Sequence, residues 1–396
     1  MIGQHPINRR KFLLTTGGTA AGAAAVGLMP ARALAQAKPL PAYADWKKPD
    51  AMIVHTAQTL ETTRAGMGSP AITPADILYV RNNLPAPSAD ITADPDAWEI
   101  AFEGVGEPGT MSLGDLKTYG VESIACVLQC SGNGRAFFDH ETSGTQWSVG
   151  AAGNVFWTGV PLRRVVAAMG GPSASARFLT GTGGETLPEG LDPTTIIVER
   201  SVPTSALDVA LIAFELNGEP LPVAHGGPAR LVVPGYYGVN NVKYIKKIAF
   251  TEEESPAKIQ QSGYRMRPVG ESGAPGQPSM YEMSVKSWVT APLMDVSSGR
   301  VVIQGVAMGG VSAVSGVDVS LDGGGSWKAA EFTGPDLGAY AWRPFELVTD
   351  LSVGTHVVAS RATNAAGDSQ PENFPPNHRG YGNNGWKAHA IELTVS

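Results

Sequence analysis

Residues 317–325 read Val-Asp-Val-Ser-Leu-Asp-Gly-Gly-Gly, and this stretch decides the fold of the C-terminal part of the chain. Apolar residues at Val317, Val319 and Leu321 alternate with polar ones, which is the period of a strand that buries one face. The glycines then favour a tight turn, because glycine adopts a positive φ without a steric cost. The pattern predicts a half-buried strand that ends in a turn before Trp327.

The rest of the C-terminal region repeats this pattern in short runs. Four such runs are found at 301–303, 342–347, 356–362 and 390–395. Evenly spaced short strands predict a β-sandwich. A stretch rich in glycine, proline and serine at 270–279 predicts a linker in front of it. We therefore expect a domain boundary between residues 278 and 279.

Residues 38–278 show a mixed pattern. The first part, 38–95, predicts an extended arm punctuated by prolines. Apolar residues at i, i+3, i+4 and i+7 predict a helix that begins at Pro161 and ends before the Gly-Gly-Pro sequence at 170–172. Strand-like runs are found at 123–128, 195–198 and 230–233. Because helices and strands do not alternate regularly, an α+β fold is favoured over a doubly wound α/β fold.

Composition excludes several classes of protein. With 48 glycines, 30 prolines and 16% charged residues, the 396-residue chain favours strands and loops over a coiled coil or a disordered acidic chain. A net charge of −7 argues against nucleic-acid binding. Two cysteines cannot build a disulfide framework or a cysteine-rich zinc site. The sequence contains no Cys-x-x-Cys-His motif, so we expect no haem in this chain.

The first 37 residues resemble an export signal. Arg9 and Arg10 precede Phe-Leu, an uncharged stretch over 12–31, and small residues spaced for cleavage within 31–37. This order predicts a twin-arginine signal at 1–37 and a periplasmic protein that is exported in folded form. The alternative is a membrane span, but a run of Ala, Gly and Thr would insert poorly. We expect no membrane span after signal removal.

Cys126 and Cys130 differ in their surroundings. Four residues of extended chain span about 13 Å at roughly 3.3 Å per residue, whereas a disulfide needs Cα atoms within about 7 Å, so we expect no pairing. Cys126 lies in an apolar run, which predicts a buried core cysteine. Cys130 begins a glycine-containing loop at 130–135. A thiolate near an arginine there would be either a nucleophile or a soft-metal ligand.

Five stretches of the chain, taken together, resemble the sulfite oxidase family of molybdopterin oxidoreductases, and within it the exported sulfite dehydrogenases. They are Arg-Asn-Asn-Leu-Pro at 81–85, Cys-Ser-Gly-Asn-Gly-Arg at 130–135, Asn-Val-Phe-Trp-Thr-Gly-Val-Pro-Leu at 154–162, His-Gly-Gly-Pro-Ala-Arg-Leu-Val-Val-Pro-Gly at 225–235 with Asn-Val-Lys at 241–243, and Ser-Leu-Asp-Gly-Gly-Gly-Ser-Trp at 320–327. The resemblance extends from about residue 50 to the C-terminus.

The resemblance implies a molybdopterin-binding catalytic domain of mixed α and β structure at 38–278, followed by an all-β immunoglobulin-like dimerisation domain at 279–396. It also implies a mononuclear molybdenum cofactor held by one pterin dithiolene and by the thiolate of Cys130. A soft thiolate suits a molybdenum ion that changes oxidation state. The residues that would bind the pterin and its phosphate are His225, Arg230, Asn241, Val242 and Lys243.

Three further residues match the family's substrate site. Arg81 and Arg135 match its anion-binding arginines, and a fork-shaped guanidinium suits a small oxyanion. Tyr264 falls where the family has an active-site tyrosine that hydrogen-bonds the oxo group or a substrate oxygen. These three residues are the predicted catalytic residues.

The chain departs from the family pattern in two places. Asn83 replaces a histidine found in many members. An arginine that some members add from the sandwich is replaced near Gly338, with Arg343 as a candidate substitute. Both departures concern the substrate rather than the cofactor.

The activity implied by the resemblance is oxidation of sulfite to sulfate, with electrons passed to a separate cytochrome c and a homodimer formed through the C-terminal domain. Direct oxidation by oxygen is the alternative to cytochrome c. With the same cofactor, the sulfane dehydrogenase subunit of a sulfur-oxidising complex is a second candidate. A reductase of oxidised methionine is disfavoured, since that branch usually lacks the sandwich. A non-catalytic secreted binding protein with an immunoglobulin-like module would leave the Cys130 loop unexplained.

Overall fold

A computed structural model describes residues 38–140 and 142–396 of the chain. The predicted export signal at 1–37 lies outside the described residues. Residues 38–396 form one compact unit. Within the described ranges, no helix is long and apolar enough to cross a bilayer.

The N-terminal segment forms a small sheet rather than the predicted extended arm. Its three antiparallel strands are β1 (Met52–Thr56), β2 (Thr59–Thr62) and β3 (Val80–Arg81), with helix α1 (Arg64–Met67) between the second and third. Leu60 and Val80 are fully buried in a small apolar cluster of this segment. The prediction of an arm was wrong because a short hairpin with few apolar residues gives no clear periodicity.

The described residues of the central part form two five-stranded sheets and four short α-helices, with several 3-10 turns between them. The strands are β4 (Glu99–Glu103), β5 (Gly109–Ser112), β6 (Glu122–Gln129), β7 (Ala152–Pro161), β8 (Phe178–Gly183), β9 (Glu199–Pro203), β10 (Leu211–Leu216), β11 (Glu219–Pro220), β12 (Arg230–Val232) and β13 (Ile245–Thr251). The helices are α2 (Leu113–Lys117), α3 (Leu162–Ala168), α4 (Pro193–Ile196) and α5 (Lys258–Gln261). One sheet has the order β11-β10-β7-β6 with β12 also on β10, and the other has the order β5-β4-β13-β8-β9. The mixed α and β structure predicted for this region is confirmed.

Two local predictions in this region have different outcomes. Helix α3 is confirmed, with Pro161 as its N-cap residue and Gly170 at φ 82° just after its end. The strand predicted at 195–198 was wrong. Asp192 accepts a hydrogen bond from the Thr194 backbone N–H at 2.9 Å, and a proline follows at the first helical position, so this segment begins with α4.

The C-terminal part is a sandwich of two four-stranded sheets. Its strands are β14 (Lys286–Ala291), β15 (Gly299–Met308), β16 (Val314–Ser320), β17 (Lys328–Ala329), β18 (Glu331–Phe332), β19 (Trp342–Leu351), β20 (Gly354–Asn364) and β21 (Ile391–Val395). The sheet orders are β14-β15-β19-β18 and β17-β16-β20-β21. Val317 and Val319 of one sheet are buried in the same apolar core as Ile303 and Phe345 of the other. The predicted all-β sandwich is therefore confirmed.

Candidate active site

Cys130 lies at the point where strand β6 ends and the chain turns. Its backbone N–H donates to the Ala151 carbonyl at 2.9 Å, and its own carbonyl accepts from the Asn133 N–H at 3.0 Å. Gly134 has φ 90°, and a Cβ there would lie 3.0 Å from Nε2 of His389. Glycine is therefore required for this tight loop, which holds the cysteine in one place.

Two residues of the C-terminal domain hydrogen-bond the loop at 130–135, which we call the cysteine loop. Lys286 Nζ donates to the Asn133 carbonyl at 3.1 Å, and Asn383 Nδ2 donates to the Gly134 carbonyl at 3.0 Å. All four residues are buried or lie in the buried loop. The position of Cys130 thus depends on both parts of the molecule.

One cleft brings most of the predicted site residues together. It encloses about 620 Å³ including its open mouth, and eight of the nine predicted residues line it. The eight are Arg81, Cys130, His225, Arg230, Asn241, Val242, Lys243 and Tyr264. The ninth predicted residue, Arg135, is not among the described residues that line the cleft. Motifs separated by more than 180 residues in sequence therefore meet in one place.

Arg230 is a fully buried cation in this cleft. Its Nη1 donates to the His225 carbonyl at 2.8 Å and its Nη2 donates to the Asn241 carbonyl at 2.7 Å. The guanidinium lies 5.0 Å from the centroid of the Trp157 ring. Burial lowers the pKa of Arg230 to about 10, so the side chain stays charged at neutral pH.

Lys47 is a site residue that the sequence analysis missed. Its Nζ lies 3.1 Å from Nε2 of His225 and donates to the carbonyls of Ala75 at 2.8 Å and Leu78 at 2.6 Å. Burial lowers the pKa of Lys47 to about 7. Burial, and then the neighbouring Lys47, Lys243 and Arg230, lower the pKa of His225 well below its usual range.

Lys243 completes a group of four basic residues that we call the basic cluster: Lys47, His225, Arg230 and Lys243. Lys243 Nζ donates to Asn82 Oδ1 at 2.5 Å and to the Ala224 carbonyl at 2.6 Å. Burial, and then Arg230, lower its pKa well below the usual range. Glu185 lines the same cleft, and burial raises the pKa of this carboxyl to about 7.

The cleft also contains buried polar atoms that suit an anionic, acceptor-rich ligand. Within the described part of the chain, Arg230 Nε, Asn82 Nδ2 and Ser131 Oγ have no hydrogen-bond partner. Two of these are N–H donors, and the third is a hydroxyl that can donate. Donors that lack partners beside mutually repelling cations fit a phosphate group. The residues present therefore fit the phosphate and pterin of the molybdenum cofactor.

Cys130 lies with Arg81 and Tyr264 in a second group, which we call the thiol cluster. Burial by itself would lower the pKa of Arg81, but the nearby Tyr264 and Cys130 raise it overall because their ionised forms attract the guanidinium. Tyr264 has φ 48°, in the left-handed region. That conformation costs a non-glycine residue about 1–2 kcal/mol, so the surrounding structure holds Tyr264 in it.

Arg135 lies behind the cleft rather than in its lining. Its Nε donates to the Arg379 carbonyl and its Nη1 donates to the Thr145 carbonyl, both at 2.7 Å. Its guanidinium also lies 5.4 Å from the centroid of the Tyr381 ring. The guanidinium therefore ties the cysteine loop to the C-terminal segment, and its contact with a substrate anion stays a prediction.

The two departures from the family pattern lie in different places. Asn83 lines the cleft. Arg343 instead lies 4.1 Å from the centroid of the Phe332 ring, with its Nη1 3.8 Å from Asp336 Oδ2. It is not among the described residues that line the cleft, so it does not substitute for the missing sandwich arginine.

Cys126 behaves as a core residue. It is buried in an apolar cluster, and burial raises the pKa of its thiol to about 12. Both cysteines are free, so the prediction that they do not pair is confirmed. In the ranges that the structure describes, no group of three or more His, Cys, Asp or Glu side chains could hold a metal ion. A metal bound by Cys130 would therefore take its other ligands from a cofactor.

Comparison with known proteins agrees with this chemistry. Residues 84–259 match the oxidoreductase molybdopterin binding domain, and residues 277–394 match the Mo-co oxidoreductase dimerisation domain. The chain is 30% identical to sulfite oxidase of Arabidopsis thaliana over 84% of its own length and 91% of that protein. The chain belongs to the sulfite oxidase family. It is also 32% identical to the family member from Gallus gallus, with 80% of this chain and 72% of that protein covered.

Two further relatives of this sulfite oxidase family member bear on its architecture. It is 35% identical to mitochondrial sulfite oxidase of Homo sapiens, with 82% of this chain and 62% of that protein covered. It therefore spans less than two thirds of that relative. The crystal structure of the sulfane dehydrogenase SoxCD from Paracoccus pantotrophus matches with a TM-score of 0.72 and 25% identity, covering 87% of this chain and 88% of that one. The predicted family, fold class and molybdenum cofactor are confirmed.

Proposed function

We propose that this protein oxidises sulfite to sulfate in the cleft between the basic cluster and the thiol cluster. When bound, the molybdenum cofactor supplies oxygen transfer to sulfur and accepts two electrons. The observation that carries the proposal is that one cleft contains a held thiol, an arginine with a raised pKa, and three further basic groups, those of His225, Arg230 and Lys243.

The chain's own residues would divide the work of binding. The thiolate of Cys130 would hold the metal, because a soft ligand suits molybdenum. Arg230, His225 and Lys243 would hold the pterin phosphate, with Lys47 beside them. Asn241 and Val242 line the same cleft, and their backbone would contact the pterin.

Arg81 and Tyr264 would bind and orient the substrate. Arg81 keeps its charge at any physiological pH, and its planar head suits a small oxyanion. Tyr264 lines the same cleft, and its hydroxyl would donate a hydrogen bond to a substrate oxygen. Together they would place the sulfur next to the group that Cys130 holds.

The test is sulfite-dependent reduction of ferricyanide and of a cytochrome c by molybdenum-loaded protein. We expect both acceptors to be reduced by the wild type and neither by the Cys130→Ser variant. The matched control is Cys126→Ser, which changes the same residue type in the core and should keep its activity. Absence of sulfite-dependent reduction by wild type with molybdenum in place would refute the proposal.

A sulfane dehydrogenase is the second candidate function. It is supported by the likeness in fold to the sulfane dehydrogenase SoxCD from Paracoccus pantotrophus, which extends over 88% of that chain. The same assay with a cysteine persulfide in place of sulfite separates the two. Because Arg81 suits a small free anion, we expect a lower KM for sulfite than for the persulfide.

The acceptor, the location and the oligomer are further proposals. We propose a separate cytochrome c as electron acceptor, export by the twin-arginine route, and a homodimer formed through the sandwich, which the match to the dimerisation domain supports. Replacing Arg9 and Arg10 by lysine should leave the protein in the cytoplasm in cell fractionation. Sedimentation should give twice the mass of the chain, and a monomer would refute the dimer.

A further inference from the structure

Four side chains beside the cleft contact one another in sequence, and one of them, Tyr381, comes from the C-terminal domain. The rings of Tyr264 and Tyr381 are stacked with centroids 5.3 Å apart and an angle of 10° between their planes. The guanidinium of Arg200 lies 5.8 Å from the Tyr264 ring, and that of Arg135 lies 5.4 Å from the Tyr381 ring. We call this arrangement the Arg–Tyr stack. Its cations flank aromatic faces, which carry the negative part of the ring quadrupole.

We propose that Tyr381 is the positioning residue for the substrate-site tyrosine. Tyr264 comes from the loop after α5, whereas Tyr381 comes from the segment between β20 and β21 of the sandwich. Tyr264 lines the cleft, and Tyr381 is not among the described residues that line it. In this proposal Tyr381 acts through its contact with the Tyr264 ring. The inference rests on the proposed role of Tyr264 in binding substrate.

Tyr264 needs a partner of this kind because its backbone is strained. A bulky residue at φ 48° is kept there only when its surroundings fix it. The Tyr264 carbonyl accepts a hydrogen bond from the Met280 N–H at 2.9 Å, which fixes the backbone. The stack fixes the ring, and so fixes where the hydroxyl points.

Tyr381 is itself held rigidly. Asn377 Nδ2 donates to the Tyr381 carbonyl, and the Tyr381 N–H donates to Asn377 Oδ1, both at 2.9 Å. Gly380 and Gly382 on either side have φ 58° and 71°, so the tight turn depends on glycine. A Cβ at Gly380 would lie 2.8 Å from Cγ of Arg135. The turn therefore packs directly against the arginine that stacks on Tyr381.

Both arginines of the stack are anchored by fixed acceptors. Arg200 donates to the Ile259 carbonyl at 3.0 Å, to Asn240 Oδ1 at 3.1 Å and to Ser279 Oγ at 2.9 Å. Arg135 donates to two backbone carbonyls. With both ends anchored, the two rings have little freedom to slide or tilt.

The experiment compares Tyr381→Phe with Tyr381→Leu in molybdenum-loaded protein. Phenylalanine keeps the stacked ring, so we expect kcat/KM for sulfite within about twofold of wild type. Leucine removes the ring, and we expect kcat/KM to fall about 10- to 100-fold because a small misplacement of a positioned group is costly. Trp327→Leu is the control, since it removes an aromatic pair with Trp386 elsewhere in the sandwich, and it should change kcat/KM by less than about twofold.

A double-mutant cycle separates positioning from a general structural effect. In a Tyr264→Phe background the hydroxyl is gone, so Tyr381→Leu should lower kcat/KM by less than about threefold. Sulfate affinity, measured by calorimetry, should weaken in Tyr381→Leu and not in Tyr381→Phe. Equal losses in both backgrounds, or wild-type kinetics in Tyr381→Leu, would overturn the proposal. If the leucine variant does not fold or load molybdenum, Tyr381→Met replaces it under the same criteria.

Failure of this inference is distinguishable from failure of the proposed function. Wild type that does not oxidise sulfite refutes the proposed function, and the same cycle is then run with a cysteine persulfide. Wild type that oxidises sulfite, with no coupling between positions 381 and 264, refutes the positioning role alone.

Discussion

The basic cluster and the thiol cluster meet at one cleft, yet the pKa values of their basic side chains are shifted in opposite directions. Burial and mutual repulsion lower the pKa values of Lys47, His225 and Lys243. In the thiol cluster, Tyr264 and Cys130 offset the effect of burial, and the pKa of Arg81 is raised. Burial and neighbouring basic groups therefore disfavour the protonated forms in the basic cluster, whereas the acidic groups near Arg81 favour its protonated form.

This difference suits the two roles that we propose, which are cofactor binding by the basic cluster and substrate binding by Arg81. A cluster of repelling cations gains most from a bound anion, because the anion offsets their repulsion. Arg81 is charged at physiological pH and so is available for repeated binding and release of an anionic substrate. The following variants test whether the two clusters act separately.

The largest expected effect comes from Arg230→Leu. This change removes two hydrogen bonds to backbone carbonyls and a buried charge of the basic cluster. We expect molybdenum content per chain to fall to about a tenth or less, since loss of a charge-assisted contact costs about 1.5–3 kcal/mol. Elemental analysis of the purified protein measures the molybdenum content per chain.

Arg361→Leu is the matched control for that experiment. Arg361 pairs with Asp318 and stacks on Trp327 in the sandwich. The Arg361→Leu variant should therefore keep its molybdenum. Full molybdenum content in Arg230→Leu would show that the basic cluster does not hold the cofactor.

Arg81→Gln should separate substrate binding from cofactor binding. Loss of the charge should raise KM for sulfite about 10- to 100-fold with a smaller change in kcat. Molybdenum content should equal that of wild type, because Arg81 is not among the residues that we propose to hold the cofactor. Steady-state kinetics and elemental analysis on the same preparation check both statements, and an unchanged KM would remove Arg81 from the substrate site.

The basic cluster should also bind anions with a characteristic pH dependence. In the free cleft burial lowers the pKa of Lys47 to about 7, and a bound phosphate dianion would raise it, so binding takes up a proton above pH 7. Affinity of cofactor-free protein for inorganic phosphate should therefore fall as pH rises from 8 to 10, by about tenfold per unit for each proton taken up. Calorimetry should show a smaller slope for Lys47→Gln, and an equal slope would contradict the assignment.

The smallest expected effect concerns a buried lysine outside both clusters. Burial lowers the pKa of Lys286 to about 7. The unfolded chain then binds a proton that the folded one lacks between pH 7 and 10.5, so stability rises with pH across this window and is lost as pH falls from 10.5 to about 7. Urea unfolding of Lys286→Met should show that this pH dependence, about 1.4 kcal/mol per pH unit, is gone. Phosphate affinity should not change.

Sequence reasoning found most of the cleft because the family motifs contain its residues. It also found the sandwich strands, since alternation as at Val317 and Val319 is a local signal. It failed at 195–198, where a β-branched run favours a strand but the cap at Asp192 starts a helix. Lys47 and Tyr381 were missed because their partners are distant in sequence, and no local pattern reports a long-range contact.

The most direct test of the central claim is X-ray absorption at the molybdenum edge of loaded wild type and Cys130→Ser protein. The cleft geometry and the family resemblance together predict that Cys130 supplies a sulfur ligand to molybdenum. The variant should therefore show one sulfur ligand fewer than wild type and no sulfite oxidation. The same number of sulfur ligands in both proteins would contradict the account.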